Sequence, residues 1–343
     1  MCITVEGSWR PCCRFNKFPH VDITSTSFGE YKGSDFYQDV ITDMENGWAD
    51  GCKKCQSEEA RDQTSLRQVL NRDLSGTTDV EYIELSLSNK CNLACKMCSP
   101  AYSTLWNKLI DNNDSLRQYH QTVKTSKIDV PGIFKDVDMS QVKKIKYLGG
   151  EPFITPETGE LFDYLAANGK MSEIELECNT NCTLFPSKWL AVLDKFKKVT
   201  IELSLDGVEE VNDYVRHGKT WNTIDPVIHK WSQHSKNSNV DLNIFSTVQA
   251  YNLHDMKNVK ALADSIGVKH YSSLLVVPEY LSVHVLPAEY LTEIKDDYNK
   301  KYYPSIENNN LLDKFKEFTY NIDNVTGLHI ADVIPTLYKH MEK

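Results

Sequence analysis

No uninterrupted apolar run in this chain of 343 residues approaches the roughly 18 needed to span a bilayer, so a membrane-embedded protein is not expected. No secretory signal is read either, and ten cysteines without one are not expected to form a disulfide framework. Positive charge is in short supply. Against 48 Asp and Glu stand 38 Lys and Arg, and the resulting net charge of −10 argues against general affinity for nucleic acid, leaving room only for a local basic groove. Low-complexity tracts are missing, as are internal repeats beyond an alternation of strand and helix patterns. A soluble, cytoplasmic protein is the expectation. Its 41% hydrophobic and 10% aromatic content is enough to bury an enzyme core and a small accessory domain.

What the chain does have is cysteine in two concentrations. Cys91, Cys95 and Cys98 fall within Asn89-Lys-Cys-Asn-Leu-Ala-Cys-Lys-Met-Cys-Ser99, a spacing that offers three thiolates to one small metal centre. Three ligands suit a [4Fe-4S] cube that keeps one iron open to an exogenous ligand. A structural zinc normally closes with four ligands, often as two separated Cys-x2-Cys pairs. Tyr82-Ile-Glu-Leu-Ser-Leu87 reads as a strand and 101–110 has helical periodicity, so the triplet occupies a strand-to-helix loop, where barrel enzymes place chemistry. A further strand, Lys144 to Leu148, runs into Gly149-Gly150-Glu151-Pro152. There two glycines permit close backbone approach to a ligand, and Glu151 can accept hydrogen bonds from an ammonium.

With these two motifs the chain resembles the radical S-adenosylmethionine (SAM) superfamily, whose signatures are the Cys-x3-Cys-x2-Cys loop and a Gly-Gly-Glu-Pro strand end. The resemblance runs over roughly residues 80 to 280 and implies a [4Fe-4S] cluster on Cys91, Cys95 and Cys98, with SAM on its open iron. It implies that Gly149, Gly150 and Glu151 bind the cofactor's amino group. It also implies that Ser204, in Thr200-Ile-Glu-Leu-Ser-Leu-Asp-Gly207, and Arg216 on the next helix bind its carboxylate, which a guanidinium fork matches in shape. Met97 takes a position that is commonly aromatic and lies near the adenine. Thr180-Asn181-Cys182 stands where the family often has Thr-Asn-Gly. Taken outside the pattern, Ser204 and Arg216 would be a polar strand end and a solvated charge, and Gly149-Gly150 a plain turn. The implied activity is reductive cleavage of SAM to a 5′-deoxyadenosyl radical that abstracts hydrogen from a peptide, protein or small-molecule substrate. The electron would come from a reductant such as flavodoxin or ferredoxin. A non-catalytic iron-sulfur or zinc binding or sensing protein on the same fold is the alternative.

The second concentration is Cys2, Cys12, Cys13, Cys52 and Cys55. Residues 1–14 alternate apolar positions about Glu6-Gly7-Ser8, which predicts a hairpin returning Cys12 or Cys13 towards Cys2. Gly51-Cys52-Lys-Lys-Cys55 is a Cys-x2-Cys knuckle that could complete a four-thiolate site. The arrangement is similar to the twitch module, the shorter relative of SPASM, which implies a second, auxiliary [4Fe-4S] cluster on Cys2, Cys12, Cys52 and Cys55. Cys12 is preferred over Cys13 because Gly7 to Cys12 fits the module's Gly-x4-Cys element. The module commonly follows the barrel, whereas here it precedes it. Tetrahedral zinc on the same thiolates stays open. The chain is also similar to radical SAM proteins of tailed bacteriophages and bacteria, through its Cys-Cys element, Ser65-Leu-Arg67 and Ile334-Pro-Thr-Leu337.

Strand patterns at 82–87, 144–148, 173–179, 198–205, 240–248 and 270–277 alternate with helical ones at 101–111, 157–168, 187–197, 221–233 and 254–266. The expected fold is α/β, a partial (β/α)6 TIM-like barrel with a small N-terminal cysteine-rich cluster domain (1–78), the barrel (79–280) and a C-terminal helical extension (281–343). A short helix is expected at 64–70, a polar linker at 73–78, a poorly periodic insertion at 112–138, and helices at 287–295 and 309–320.

Overall fold

Alternation at period two builds the sheet. In the strands Tyr82–Ser86 (β3), Lys144–Leu148 (β5) and Glu175–Thr180 (β6), one face carries Ile83, Leu85, Ile145, Tyr147, Leu176 and Cys178, all at most 1% exposed. Parallel register places Tyr82 beside Lys144 and Lys144 beside Glu175, so the opposite face carries Glu84, Lys146 and Glu177 in one row. On the apolar side Tyr147 hydroxyl meets Thr158 Oγ1 at 2.9 Å, and the helix Glu157–Asn168 holding Thr158 buries Leu161, Phe162 and Leu165. On the polar side Lys144 pairs with Glu177 at 3.0 Å, and Lys146 pairs with the same carboxylate. A closed barrel fills its interior with branched apolar side chains, whereas this face is charged and half-open.

The structure is a computed structural model and describes residues 1–75, 79–123, 125, 127–303 and 309–342. Residues 76–78 of the expected linker, with the boundary at 78, and residues 124 and 126 of the insertion lie outside the described residues. Cys2–Ile3 (β1), Trp9–Arg10 (β2), β3, β5, β6, Lys198–Ser204 (β7), Val240–Val248 (β9) and Lys269–Leu274 (β10) form one eight-stranded sheet in the order β10-β9-β7-β6-β5-β3-β1-β2. The six strands expected of the barrel thus follow one another in chain order, with parallel pairing at β3–β5, β5–β6 and β9–β10. The fold is α/β with a mostly parallel central sheet, and no closed barrel forms among the described residues. Ala94–Cys95 (β4) and Arg216–His217 (β8) make a separate antiparallel ribbon.

The chain divides into two compact units, 1–89 with 124–178 and 188–200, and 90–123 with 179–187 and 201–343. In the first, the expected N-terminal hairpin pairs Cys2 with Arg10 about Gly7 at φ +74°, and β1 then continues the sheet in parallel beside β3. Helices Phe28–Lys32, Asp35–Glu45 and Lys53–Glu59 follow, then Leu66–Asp73 with Ser65 and Gln68 forming a reciprocal cap. In the second unit, helices Thr104–Asn112, Trp221–Ser235, Met256–Ile266 and Leu312–Thr326 are each apolar on one side. No helix of the described residues is long and apolar enough to cross a membrane.

Several element boundaries differ from the sequence expectation. β10 ends at Leu274, three residues short of 277, ahead of Pro278, which has no N–H for a ladder. The helix expected at 187–197 is a 3-10 turn, Ser187–Trp189, followed by the single turn Leu190–Leu193. The C-terminal helix starts later, at Leu312, and runs six residues further, to Thr326, where Gly327 at φ +70° caps it.

Candidate functional site

The loop after β3 is held chiefly through its backbone. Thr104 Oγ1 accepts the Cys91 N–H at 3.3 Å and donates to the Cys91 carbonyl at 3.1 Å, and Trp106 Nε1 donates to the Cys95 carbonyl at 2.9 Å. Ser103 caps the helix that supplies both side chains by accepting the Leu105 and Trp106 N–H groups. A further amide, Asn181 Nδ2, lies 3.7 Å from Cys91 Sγ and 2.9 Å from Asn92 Oδ1. Burial pushes the Cys98 thiol up to about 12 and raises Cys95 as well, while the three thiols stand within one another's electrostatic range. Among the described residues no three His, Cys, Asp or Glu side chains already stand at metal-ligating positions. The donor chemistry nevertheless fits an iron-sulfur cluster: three neighbouring sulfurs in one loop, with a guanidinium to offset their charge when deprotonated.

That guanidinium is Arg216. Cys95 and Arg216 are register partners in the β4–β8 ribbon, and the Lys96 N–H reaches the Val215 carbonyl at 2.9 Å. Gly218 follows at φ +131°, where a Cβ would lie 2.6 Å from the Asn92 carbonyl, so the ribbon closes down on the cysteine loop only with glycine there. Arg216 Nε donates to Asp206 Oδ2 at 2.6 Å, and Asp206, fully buried, also accepts the Thr247 N–H at 2.7 Å. The short charge-assisted bond leaves the fork of terminal nitrogens to bind elsewhere. Arg216 opens β8, although a helical position was expected for it; the helix ends at Val215. Ser204 ends β7 and is half-buried, as is Met97 in the cysteine loop. The nearby Cys182 is fully buried at φ +61°, with its thiol towards the Thr180 carbonyl at 3.7 Å.

Gly149, Gly150 and Glu151 follow β5. Gly149 has φ +144°, and a Cβ on it would stand 2.8 Å from the Ser88 carbonyl oxygen, which also accepts the Gly150 N–H at 2.8 Å. The close approach expected of this pair is therefore made to the chain's own backbone, three residues ahead of Cys91. Glu151 is 1% exposed and caps the turn Pro152–Ile154 by accepting the Phe153 N–H at 3.4 Å.

Aromatic packing brings the Cys12-Cys13 segment against the Cys52-Cys55 segment. Phe15 lies against Gly51, where even a Cβ would come within 2.3 Å of the ring, and Asn16 N–H reaches the Gly51 carbonyl at 3.2 Å. This contact sets the residues after Cys12-Cys13 against those before Cys52. Electrostatic range then links Cys2 to Cys12, Cys12 to Cys52 and Cys52 to Cys55. A hydrogen bond from Cys13 lowers the Cys12 thiol, and the same bond together with burial raises Cys13, which also reaches Glu84. A cavity of about 480 Å³ opens beside Cys2, Cys12, Cys13, Lys32, Tyr37 and Tyr82. Glu84, buried beside Cys2 in register and holding the Tyr82 hydroxyl at 2.9 Å, escaped the sequence reading, as did Asp206. Only the polar positions in otherwise apolar strands could have signalled them.

The family profile described as the radical SAM superfamily matches residues 85–262. Over 158 residues the chain is 24% identical to a GTP 3′,8-cyclase of Desulforamulus reducens, covering 44% of this chain and 43% of that protein. Over 134 residues it is 27% identical to a GTP 3′,8-cyclase of Clostridium perfringens, covering 39% and 34%. The match thus spans less than half the length of these curated relatives. Among solved structures, native anSMEcpe with bound AdoMet is 20% identical with a TM-score of 0.42, covering 73% of this chain and 63% of that one. Streptococcus suis SuiB is 14% identical with a TM-score of 0.39, covering 87% and 59%.

Proposed function

The chain belongs to the radical SAM superfamily, and we propose that within it this protein is an enzyme acting on a peptide or small-molecule substrate. The family's [4Fe-4S] cluster and SAM, when bound and reduced, supply a 5′-deoxyadenosyl radical that takes a hydrogen atom from carbon. In this reading Cys91, Cys95 and Cys98 hold the cluster through three thiolates and leave one iron to the cofactor. Gly149, Gly150 and Glu151 receive the cofactor's amino group, Ser204 and Arg216 its carboxylate, and Met97 borders its adenine. Asp206 aims the Arg216 fork by holding Nε. Cys2, Cys12, Cys52 and Cys55 hold an auxiliary [4Fe-4S] cluster, and Cys12 standing within electrostatic range of both Cys2 and Cys52 supports it as the ligand.

The observation that carries the reading is the β4–β8 ribbon, in which a cysteine of the three-thiol loop and a buried, carboxylate-aimed arginine are register partners. The division into an N-terminal cluster domain (1–78), a barrel (79–280) and a C-terminal extension (281–343) belongs to the same proposal. So do a flavodoxin or ferredoxin as reductant and a cytoplasmic setting. The test is anaerobic reconstitution of the full chain with iron and sulfide, followed by dithionite and SAM. The unaltered protein is expected to release 5′-deoxyadenosine, and the triple change of Cys91, Cys95 and Cys98 to Ala to abolish it together with one cluster's iron. Retained 5′-deoxyadenosine formation in the triple variant sinks the proposal.

A further inference from the structure

Lys96 lies between Cys95 and Cys98, yet it is 1% exposed. Its ammonium is 3.0 Å from Asp323 Oδ1, in the C-terminal helix Leu312–Thr326, and 3.7 Å from the centre of the Tyr214 ring. Asp323 is itself buried and accepts from two further donors. Oδ1 also accepts the Tyr214 hydroxyl at 2.8 Å, and Oδ2 accepts the Ile330 N–H at 2.7 Å. The same two partners flank the ribbon described above. Lys96 directly follows Cys95 on one strand, and Tyr214 stands two residues before Arg216 on the approach to the other. One carboxylate therefore holds the residue just after Cys95 and the one two positions before Arg216, at the ends of both strands of the ribbon.

Stability alone is a poor reason for such a group. Taking an ammonium and a carboxylate out of water is expensive, and an apolar pair of similar volume commonly holds a core as well or better. What a buried ion pair with a cation–π contact and two further hydrogen bonds adds is a single permitted arrangement. Here the arrangement it selects is the spacing of the Cys95 sulfur and the Arg216 guanidinium.

We propose that Asp323 is a positioning residue that, through Lys96 and Tyr214, fixes Arg216 relative to Cys95 and so sets how the SAM carboxylate is presented to the cluster. The inference rests on the reading of Cys91, Cys95, Cys98 and Arg216 given above. It assigns the C-terminal extension a part in cofactor binding without contact to the cofactor.

The test uses the full chain, anaerobically reconstituted, in three forms: unaltered, Asp323→Asn, and the apolar replacement Lys96→Met with Asp323→Leu. Each is measured for iron per chain, thermal midpoint, SAM dissociation constant by equilibrium dialysis, and the change that SAM causes in the electron paramagnetic resonance spectrum of the reduced cluster. Asp323→Asn is expected to keep its iron but to bind SAM about tenfold more weakly, a typical coupling for residues in one network. Its SAM-induced spectral change should shrink or broaden. The double variant is expected to recover the thermal midpoint while SAM binding and the spectral change stay impaired. If the double variant regains both stability and SAM affinity, the group is structural only and the proposal falls. Unaltered SAM affinity and spectrum in both variants overturns it as well, while leaving the superfamily chemistry intact. An unaltered protein that takes up no cluster, or whose cluster ignores SAM, removes the underlying reading and this proposal with it.

Discussion

Replacing Gly149 by Ala tests the strand end after β5 most directly. At φ +144° a side chain is strained whatever the space, and here the added methyl would meet the Ser88 carbonyl oxygen at 2.8 Å, closer than such atoms approach. Backbone strain of this kind is worth about 1–3 kcal/mol. Moving the carbonyl to relieve the clash also breaks its bond from Gly150 N–H, at about 0.5–1.5 kcal/mol. The expected loss is therefore about 1.5–4.5 kcal/mol. Gly267 offers an internal control, since it has φ +75° and nothing within 4 Å of the added atom. Gly267→Ala should lose only the left-handed penalty, about 1–2 kcal/mol. Urea unfolding of the metal-free protein under reducing conditions measures both. Because Ser88 stands three residues ahead of Cys91, Gly149→Ala should also lower the iron retained after reconstitution and desalting, whereas Gly267→Ala should not. If the two variants lose equal stability and keep equal iron, the close approach is no constraint and the argument is refuted.

Reconstituted protein should carry about eight irons in two four-iron clusters, falling to about four when Cys52 and Cys55 become Ala; one zinc and about four irons in the unaltered protein would favour a zinc knuckle at the N-terminal cysteines instead. Single changes of Cys12 and Cys13 should separate their roles: loss of Cys12 removes the second cluster's iron and loss of Cys13 does not, and the reverse pattern would transfer the ligand role to Cys13. Burial lowers His254 and His270 to about 4 from an ordinary 6.5, so the unfolded chain takes up these protons first as pH falls. Their stabilising effect is complete above about pH 6.5 and drains away towards pH 4, at up to about 1.4 kcal/mol per pH unit for His254 and less for the more exposed His270. Urea midpoints of the metal-free protein between pH 7 and 5 should therefore fall less steeply in His254→Gln, and parallel curves would contradict the assignment. Cys182, fully buried, should resist alkylation in the folded protein and react only in denaturant; rapid labelling in the native state would show an accessible thiol.

Most of the sheet was legible because its signal is local. Strands 82–86, 144–148 and 240–248 announce themselves by alternation, and the helix Glu157–Asn168 by its apolar stripe and the Gly169 that follows. The position of the cysteine loop between a strand and a helix was legible because both flanking patterns are local. Pairings across long separations left no such trace. Cys2 beside Glu84 depends on which edge of the sheet the hairpin joins, and nothing in residues 1–14 specifies an edge. The helix Phe28–Lys32 was missed despite a readable cap, Ser27-x-x-Glu30, because five residues hold too little periodicity to register. Arg216 was expected to be free for a ligand, and the sequence could not show that Asp206, ten residues earlier, would already hold one of its nitrogens.

The order in which the contacts become available along the chain bears on when the cluster loop is finished. Strands β3, β5, β6, β7, β9 and β10 lie side by side in the order in which the chain presents them, so they can be laid down progressively as it emerges. Lys96 to Asp323 spans 227 positions. Until the helix Leu312–Thr326 exists, the lysine between the cysteines lacks this counter-ion and its burial is unfavourable, so the loop is expected to stay open to solvent until residue 323 has been made. Maturation would then have a built-in sequence: sheet first, C-terminal helix docked next, and a rigid receptacle for iron and sulfide only at the end. A nascent chain arrested before residue 323 would present the three thiols on a loose tether, where they are most open to oxidation or to the wrong metal.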